Sequence, residues 1–303
     1  MDTIAPLIAA SINAGTPLLL AALGLLINEK SGVVNLGAEG MMLVAAVIGF
    51  AATVTTGSVT VGFVAGALAG MVLAGFYALL TVWLGTNQYA TGLALALFGS
   101  GVSAYIGIDY VGKGLENPKF AVPLLSDLPF LGTALFRQHP MVYLAVVLCL
   151  AVGWFLYRTR AGLVLRAVGE SPSSAHALGY NVRVIRLAAL LFGGACCGLA
   201  GAFLSLVYTP QWVEGMVAGR GWIALALTTF ATWRPLRVLA GAYLFGGVTI
   251  LTFYAQGFGI AVDSQLLAML PYLATIVVLV LISTNANWIK LNMPASLGKN
   301  FRP

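Results

Sequence analysis

The chain has 303 residues, of which 60% are hydrophobic and 8% charged, with a net charge of +6 and a mean hydropathy of +0.97. Soluble globular proteins carry about 25% charged residues, so this composition excludes one, and several apolar runs reach or approach the ~20 residues that cross ~30 Å of hydrocarbon. A polytopic helical membrane protein is implied, whose positive charge flanks spans and meets anionic headgroups rather than nucleic acid.

The first apolar run, residues 4–27, has no basic leader and cleavage site, so it reads as a retained span that Pro17 can kink. Asn28, Glu29, Lys30, Ser31 and Gly32 then form a polar turn. The second span, 36–52, opens on NLGAEG, which brings Asn35 and Glu39 to the membrane edge or just inside it. After a turn at 53–58, a third span covers 59–84, with Gly62, Gly66 and Gly70 spaced by four on one helix face. Small residues on one face let two backbones approach closely. Residues 85–87 form a hairpin into a fourth span, 88–108. Residues 109–139 carry Pro118, Pro123 and Pro129 and read as an irregular loop, and Pro140 opens a fifth span that runs to Tyr157.

Next comes the longest polar interruption late in the chain, Arg158 to Arg186, with five of the fifteen basic residues. A loop this basic faces the cytoplasm. Within it one short helical run covers 160–168, weakened by Gly169. A second covers Pro172 to Leu178, with Ser171 as cap, Pro172 in its first position and Gly179 just past its end. So short a helix does not persist alone in water, which points to docking on a cytoplasmic partner protein; the alternative is an ordinary positive-inside loop with no partner. A sixth span, 187–207, contains FGGACCGLAG, another close-packing face. The apolar piece 222–233 makes only ~18 Å of helix and could cross or be re-entrant. Spans at 238–255 and 266–284 complete the set.

Charge bias separates the two readings of the short piece. If it crosses, eleven basic residues share the side of the 158–186 loop, against Lys113, Lys119, Arg137 and Arg220 on the other. If it is re-entrant, the split becomes six against nine. The positive-inside rule favours crossing. The expected fold is therefore an all-α transmembrane bundle of nine spans (eight to ten), N-terminus out and C-terminus in.

Candidate chemistry is sparse. GIDYVGKG at 107–114 approaches a phosphate loop, but Gly114 has no hydroxyl for magnesium and 116–118 cannot open a helix smoothly. His139 and His176 sit in expected loops with no companion at metal-ligand spacing, so no metal site is expected. Cys149, Cys196 and Cys197 lie in apolar runs as small buried residues. Glu39 is the only carboxylate expected within a span, where such a group marks a functional site or a buried partner. Its bland reading, a brace for the start of the second span near Asn35, is the one favoured. Asn87, Gln88 and Tyr89, and separately Gln211 and Trp212, could bind a neutral planar solute, and more commonly such groups anchor span ends. Glu214 reads as a solvated loop charge.

INEKSGVVNLGAEGMML at 27–43 resembles the permease subunits of bacterial ABC importers in the ribose and branched-chain amino-acid permease superfamily. Within it the resemblance is to the nucleoside permeases that work with basic-membrane-protein-type lipoproteins. LRAVGESPSSAHALGYNV at 165–182 is similar to the superfamily's ATPase-contacting motif, and 223–247 with 271–280 extend the likeness over most of the chain. The resemblance implies one transmembrane permease domain over 1–303 with a cytoplasmic coupling loop at 158–186, in a bacterial inner membrane. It implies a passive subunit that binds no cofactor, with ATP and Mg on partner ATP-binding subunits. A second permease subunit, commonly a different one, and an extracytoplasmic substrate-binding lipoprotein complete the assembly. The coupling helix then corresponds to the region of Gly169, Glu170, Pro172, Ala175 and Gly179, and Ala175, Ala177 and Gly179 meet the pattern of small residues with a final glycine. Asn35, Glu39, Asn87 and Gln88 are the candidates for the solute pathway. The implied cargo is a nucleoside or nucleobase. The alternatives are a simple sugar or branched-chain amino acid on the same architecture, and, more remotely, an ion-coupled secondary transporter, which needs more buried ionisable groups than Glu39 alone.

Overall fold

The structure, a computed structural model, describes residues 4–116, 126, 132–257, 269, 273, 277, 280 and 292–301, the side chains of 255–257 excepted. The described residues form an all-α bundle, with one isolated bridge between Gly114 and Gln211 as the extended pairing. Seven helices are long and apolar enough to cross a membrane. They are α1 (Ile4–Lys30), α2 (Ala38–Thr56), α3 (Val59–Ala78, extended by a π turn to Trp83), α4 (Gln88–Gly107), α5 (Pro140–Arg158), α8 (Val182–Phe203, extended by a π turn to Tyr208) and α10 (Pro235–Gly257). Three shorter helices join them: α6 (Arg160–Glu170), α7 (Pro172–Ala177) and α9 (Arg220–Phe230). The ninth expected span, 266–284, falls outside the described residues except at 269, 273, 277 and 280.

At the centre stands α1. Its residues Leu18 to Lys30 are buried, as befits a helix that is apolar on every side. Around it pack α8, α9 and α10, and α2 and α3 close the other flank. The two small-residue faces of the sequence meet each other. A Cβ added at Gly66 would stand 2.8 Å from the Ala202 Cβ, and one at Gly70 would collide with the Gly194 carbonyl. This seam between α3 and α8 lets dispersion contacts replace the hydrophobic drive that lipid cannot supply.

Three boundaries differ from the sequence reading, each for a reason of hydrogen bonding. Asn28, Glu29 and Lys30 are the last residues of α1 and are buried, not a polar turn; the helix stops only at Gly32, whose φ of +90° breaks it. α2 runs on to Thr56 because threonine hydroxyls at 53, 55 and 56 bond back to carbonyls of the preceding turn before Gly57 caps it. α8 begins at Val182 rather than Leu187, capped by Asn181, and it buries Arg186 because that guanidinium donates to the Ser31 and Lys299 carbonyls.

Helix directions follow from the contacts. Residues 158–186 define one face of the bundle, here the loop face. α1 ends there, and α10 runs antiparallel to it, with Gly15 against Ala242 and Gly246 against Ser11. Asn292 also lies on the loop face, where its carbonyl accepts from Lys30 Nζ at 2.7 Å.

Candidate functional site

Two places concentrate features that simple packing does not need. The first is the short helix α7. Ser171 Oγ accepts from the Ser174 N–H at 3.4 Å, Pro172 fills the first turn, and Gly179 at φ +88° ends it while Tyr180 N–H closes back on the Ala175 carbonyl. One side chain of the helix is buried, Ala175, in a small cluster with Val168 and Val182. Ala177 and Gly179 are exposed, and Leu178 is 78% exposed, an apolar knob aimed away from the protein. Behind α7, Gly169 is where α6 touches the end of α1: a Cβ there would collide with the Lys30 carbonyl. Gly169 therefore lies inside one continuous helix, 160–170, and Glu170 is its exposed last residue.

The second place is a broken crossing. α8 reaches the far face at Tyr208, and the chain returns through turns at 213–219 before α9 starts. The N-terminus of α9 is not at the surface. Gly219 and Gly221 donate their N–H groups to the Glu39 carboxylate at 2.8 and 2.7 Å. Glu39 belongs to the first turn of α2, which itself starts deep. Gly40 packs on Leu95, seven residues along α4 from Gln88 and so about 10 Å inward. Two helix N-termini thus converge within the bundle, and one carboxylate satisfies the donors that α9 leaves open. Glu39 braces the start of α9, rather than the turn at Asn35.

The other end of α9 reaches the loop face. There Glu29 Oε2 accepts from Thr228 Oγ1 at 2.9 Å and from the indole N–H of Trp233. Residues 209–230 therefore cross the bundle, half as turns and half as helix. Backbone strain brackets the helix on both sides. Ala218 precedes it at φ +50°, and Thr232 and Trp233 follow it at +49° and +52°. A β-branched residue there is an outlier, and such outliers cluster where structure must be held for function.

Residues 7–283 match the family described as the permease component of branched-chain amino acid transport systems. The chain belongs to that family. A protein described as a glucose ABC transporter permease, TsgC13 of Haloferax volcanii, is 40% identical over 99% of this chain and 98% of its own. The nucleoside ABC transporter permease NupC of Lactococcus lactis is 32% identical over 93% of both chains. The guanosine ABC transporter permease NupQ of Bacillus subtilis is 29% identical over 90% of both. No solved structure gives a significant match. This permease is thus the membrane subunit of an ABC transporter, a multi-pass protein of the inner membrane.

In the permease the hydrogen bond from Val34 to Gln88 joins the stretch that holds Asn35 to the start of α4, where Asn87 and Gln88 lie, and Glu39 alone stands deeper. Glu39 stands at the deep junction. Asn35, fully buried, accepts from the Gly37 N–H at 3.0 Å in the approach to α2. Asn87 caps α4 by accepting from the Tyr89 and Ala90 N–H groups. Gln88 accepts from the Val34 N–H at 2.9 Å and donates to Asn300. Trp212 is buried against Gly107. Lys113 of the near phosphate loop sits 4.9 Å from the centre of the Tyr110 ring.

Sequence reasoning misses Glu29, Trp233 and the residues at 292–301. For Glu29 a signal existed. The run of 4–27 has no helix stop until Gly32, so INEK continues the helix and carries its charges inward. For 292–301 the sequence offers only a polar, glycine-containing tail, whose partners lie far away in the chain.

Proposed function

We propose that the permease imports a nucleoside or nucleobase, driven by ATP hydrolysed on partner subunits, and that α7 is the lever receiving their motion. ATP and magnesium belong to those partners in this reading, and the permease binds neither. The observation that carries it is α7 itself: six residues, one buried, and an apolar Leu178 held out at 78% exposure on the most basic face. Such a helix gains little from its own chain and a great deal from a groove that covers Leu178. Gly169 and Glu170 seat the lever on α1, Pro172 and Ala175 fix its start and its buried side, and Ala177 and Gly179 keep its outer surface small enough for close contact. A second permease subunit and an extracytoplasmic binding protein follow from the family habit.

For the cargo, two relatives are named for nucleosides and one for glucose. A ribose-bearing base and a hexose share a ring of hydroxyls, and the scarcity of charge in the spans suits a neutral polar solute in either case. The relative of 40% identity favours a simple sugar as the second reading. At mid-bundle, Glu39 and the N-terminus of α9 border the path, while Asn35, Asn87 and Gln88 hold its walls through backbone contacts. Proteoliposomes carrying the assembled transporter and its binding protein test this directly. ATP-dependent uptake of labelled guanosine, not displaced by excess glucose, is expected. Glucose uptake without guanosine uptake selects the sugar reading, and uptake of both solutes independent of ATP removes the importer reading.

A further inference from the structure

The tail 292–301 passes beneath four elements of the loop face and bonds to each. Lys30 Nζ donates to the Asn292 carbonyl at 2.7 Å, and the Gly298 N–H donates to the Gly32 carbonyl at 3.1 Å, both at the end of α1. Ser296 donates twice to the Gly169 carbonyl, from its N–H at 3.0 Å and its hydroxyl at 2.6 Å, at the end of α6. Arg186 of α8, only 2% exposed, donates to the Lys299 carbonyl at 3.2 Å and to the Ser31 carbonyl at 3.2 Å.

Its last described residues reach in two directions at once. The Phe301 ring lies 5.6 Å from the His176 ring of α7 and packs on the Val168, Ala175 and Val182 cluster. Next to it, Asn300 Nδ2 donates to the Gly85 carbonyl at 2.7 Å and the Thr86 carbonyl at 2.9 Å, in the hairpin between α3 and α4. Its Oδ1 accepts from Gln88 Nε2 at 3.1 Å. Gln88 in turn holds the Val34 N–H, on the buried stretch that descends to Glu39. Two adjacent tail residues thus connect the proposed lever to the hairpin, and through Gln88 to the segment that enters the core.

We propose that the tail is a tether that makes α7 and the α3–α4 hairpin move as one body, with Phe301 and Asn300 as positioning residues. The inference rests on α7 being the lever. A displaced helix transmits motion only through groups packed or bonded in both states, and a pair of neighbouring residues anchored on opposite elements is such a link. Ring packing holds one end and three amide hydrogen bonds hold the other, so either end can be cut without touching the other.

Hydrogen exchange on the transporter assembled with its ATP-binding subunits in nanodiscs, compared between ADP and ATP with vanadate, reads this out. In the unaltered protein, exchange should change with nucleotide both at 171–180 and at 84–91. Asn300→Ala and Phe301→Ala should keep the response at 171–180 and lose about fivefold at 84–91, the size expected for removing about 1 kcal/mol of linkage. Phe301→Tyr, which keeps a ring on His176, should restore it. An undiminished response at 84–91 in both alanine variants overturns the tether and leaves the lever intact. No response at 171–180 in the unaltered protein overturns the lever reading and the tether with it. Asn300 is exposed, so Asn300→Ala decides the question even where Phe301→Ala fails to assemble.

Discussion

The imidazole of His139 accepts a hydrogen bond on Nδ1 from the Met141 N–H at 3.2 Å, and so starts α5, with the rings of Phe63 and Phe203 on either side of it. Burial between those rings lowers its pKa from the ordinary 6.5. A folded-state pKa below the unfolded one means that the unfolded chain binds the proton more readily. The contribution of this residue is therefore whole above pH 6.5 and is lost as pH falls through the lowered value. Protonation on Nδ1 also removes the acceptor that caps α5. Thermal unfolding of the detergent-solubilised permease should show a midpoint falling with pH below 6.5, and His139→Asn, which keeps a capping acceptor, should flatten that dependence. An unchanged pH profile in the variant would show that the proton acts elsewhere. Gly169 is a second single-residue case. A valine there must displace the Lys30 carbonyl, and overpacking of this kind costs about 1–3 kcal/mol, so Gly169→Val should lower the same midpoint while Gly179→Val, at an open position, strains only a φ of +88°.

At the scale of the element, α9 is the informative case. It is eleven residues long, too short to cross, and a carboxylate receives it at each end. Hydrogen bonds to a charged acceptor are worth about 1.5–3 kcal/mol each, and hydrocarbon offers the freed N–H groups no water in exchange. Glu39→Ala should therefore unseat the N-terminus of α9 and abolish uptake, and Glu39→Gln, with one acceptor oxygen left, should retain part of it. Exchange protection of the amides at 219–222 measures the seating independently of transport; full protection in Glu39→Ala would refute the clamp. The same element shows what a sequence can and cannot disclose. Hydropathy alone locates α9, because Trp222 to Trp233 is an apolar block, and length alone shows that it is half a span. The glycine faces of α3 and α8 are legible because a period of four is local information, and they turn out to face each other. Local chemistry also delivers α7, through Ser171, Pro172 and Gly179. By contrast the clamps join residues 180 and 199 positions apart. No local pattern assigns Glu39 to Gly219, or Glu29 to Thr228. Reading Glu29 as a turn residue fails for a related reason: charge is taken as the sign of water, whereas here a hydroxyl and an indole N–H stand in for it.

At the scale of the whole molecule, orientation follows from which ends share a face. Residues 173–180 of the 158–186 loop, the hairpin at 85–87 and the tail at 292–301 are bonded or packed to one another, so they lie on one side of any membrane that the bundle spans. The turn at 57–58 between α2 and α3, and the Gly114–Gln211 bridge, lie at the opposite end. Of the described cations, Lys30, Arg158, Arg160, Arg166, Arg183, Arg186, Arg234, Arg237 and Lys299 belong to the loop face, against Lys113, Arg137 and Arg220 elsewhere. By the positive-inside rule that asymmetry predicts a cytoplasmic loop face. The three native cysteines are all buried, so single introduced thiols can be mapped without removing them first. Ser173→Cys and Ala295→Cys should react with an impermeant maleimide only after the cells are opened, and Gly57→Cys should react in intact cells. The pairing of the first two is set by the fold alone, and their common side by charge. Labelling of Ser173→Cys and Ala295→Cys from opposite sides would contradict the packing of the tail on the loop. Labelling of both from outside would keep the fold and invert the permease in the membrane, leaving α7 out of reach of cytoplasmic ATP-binding subunits.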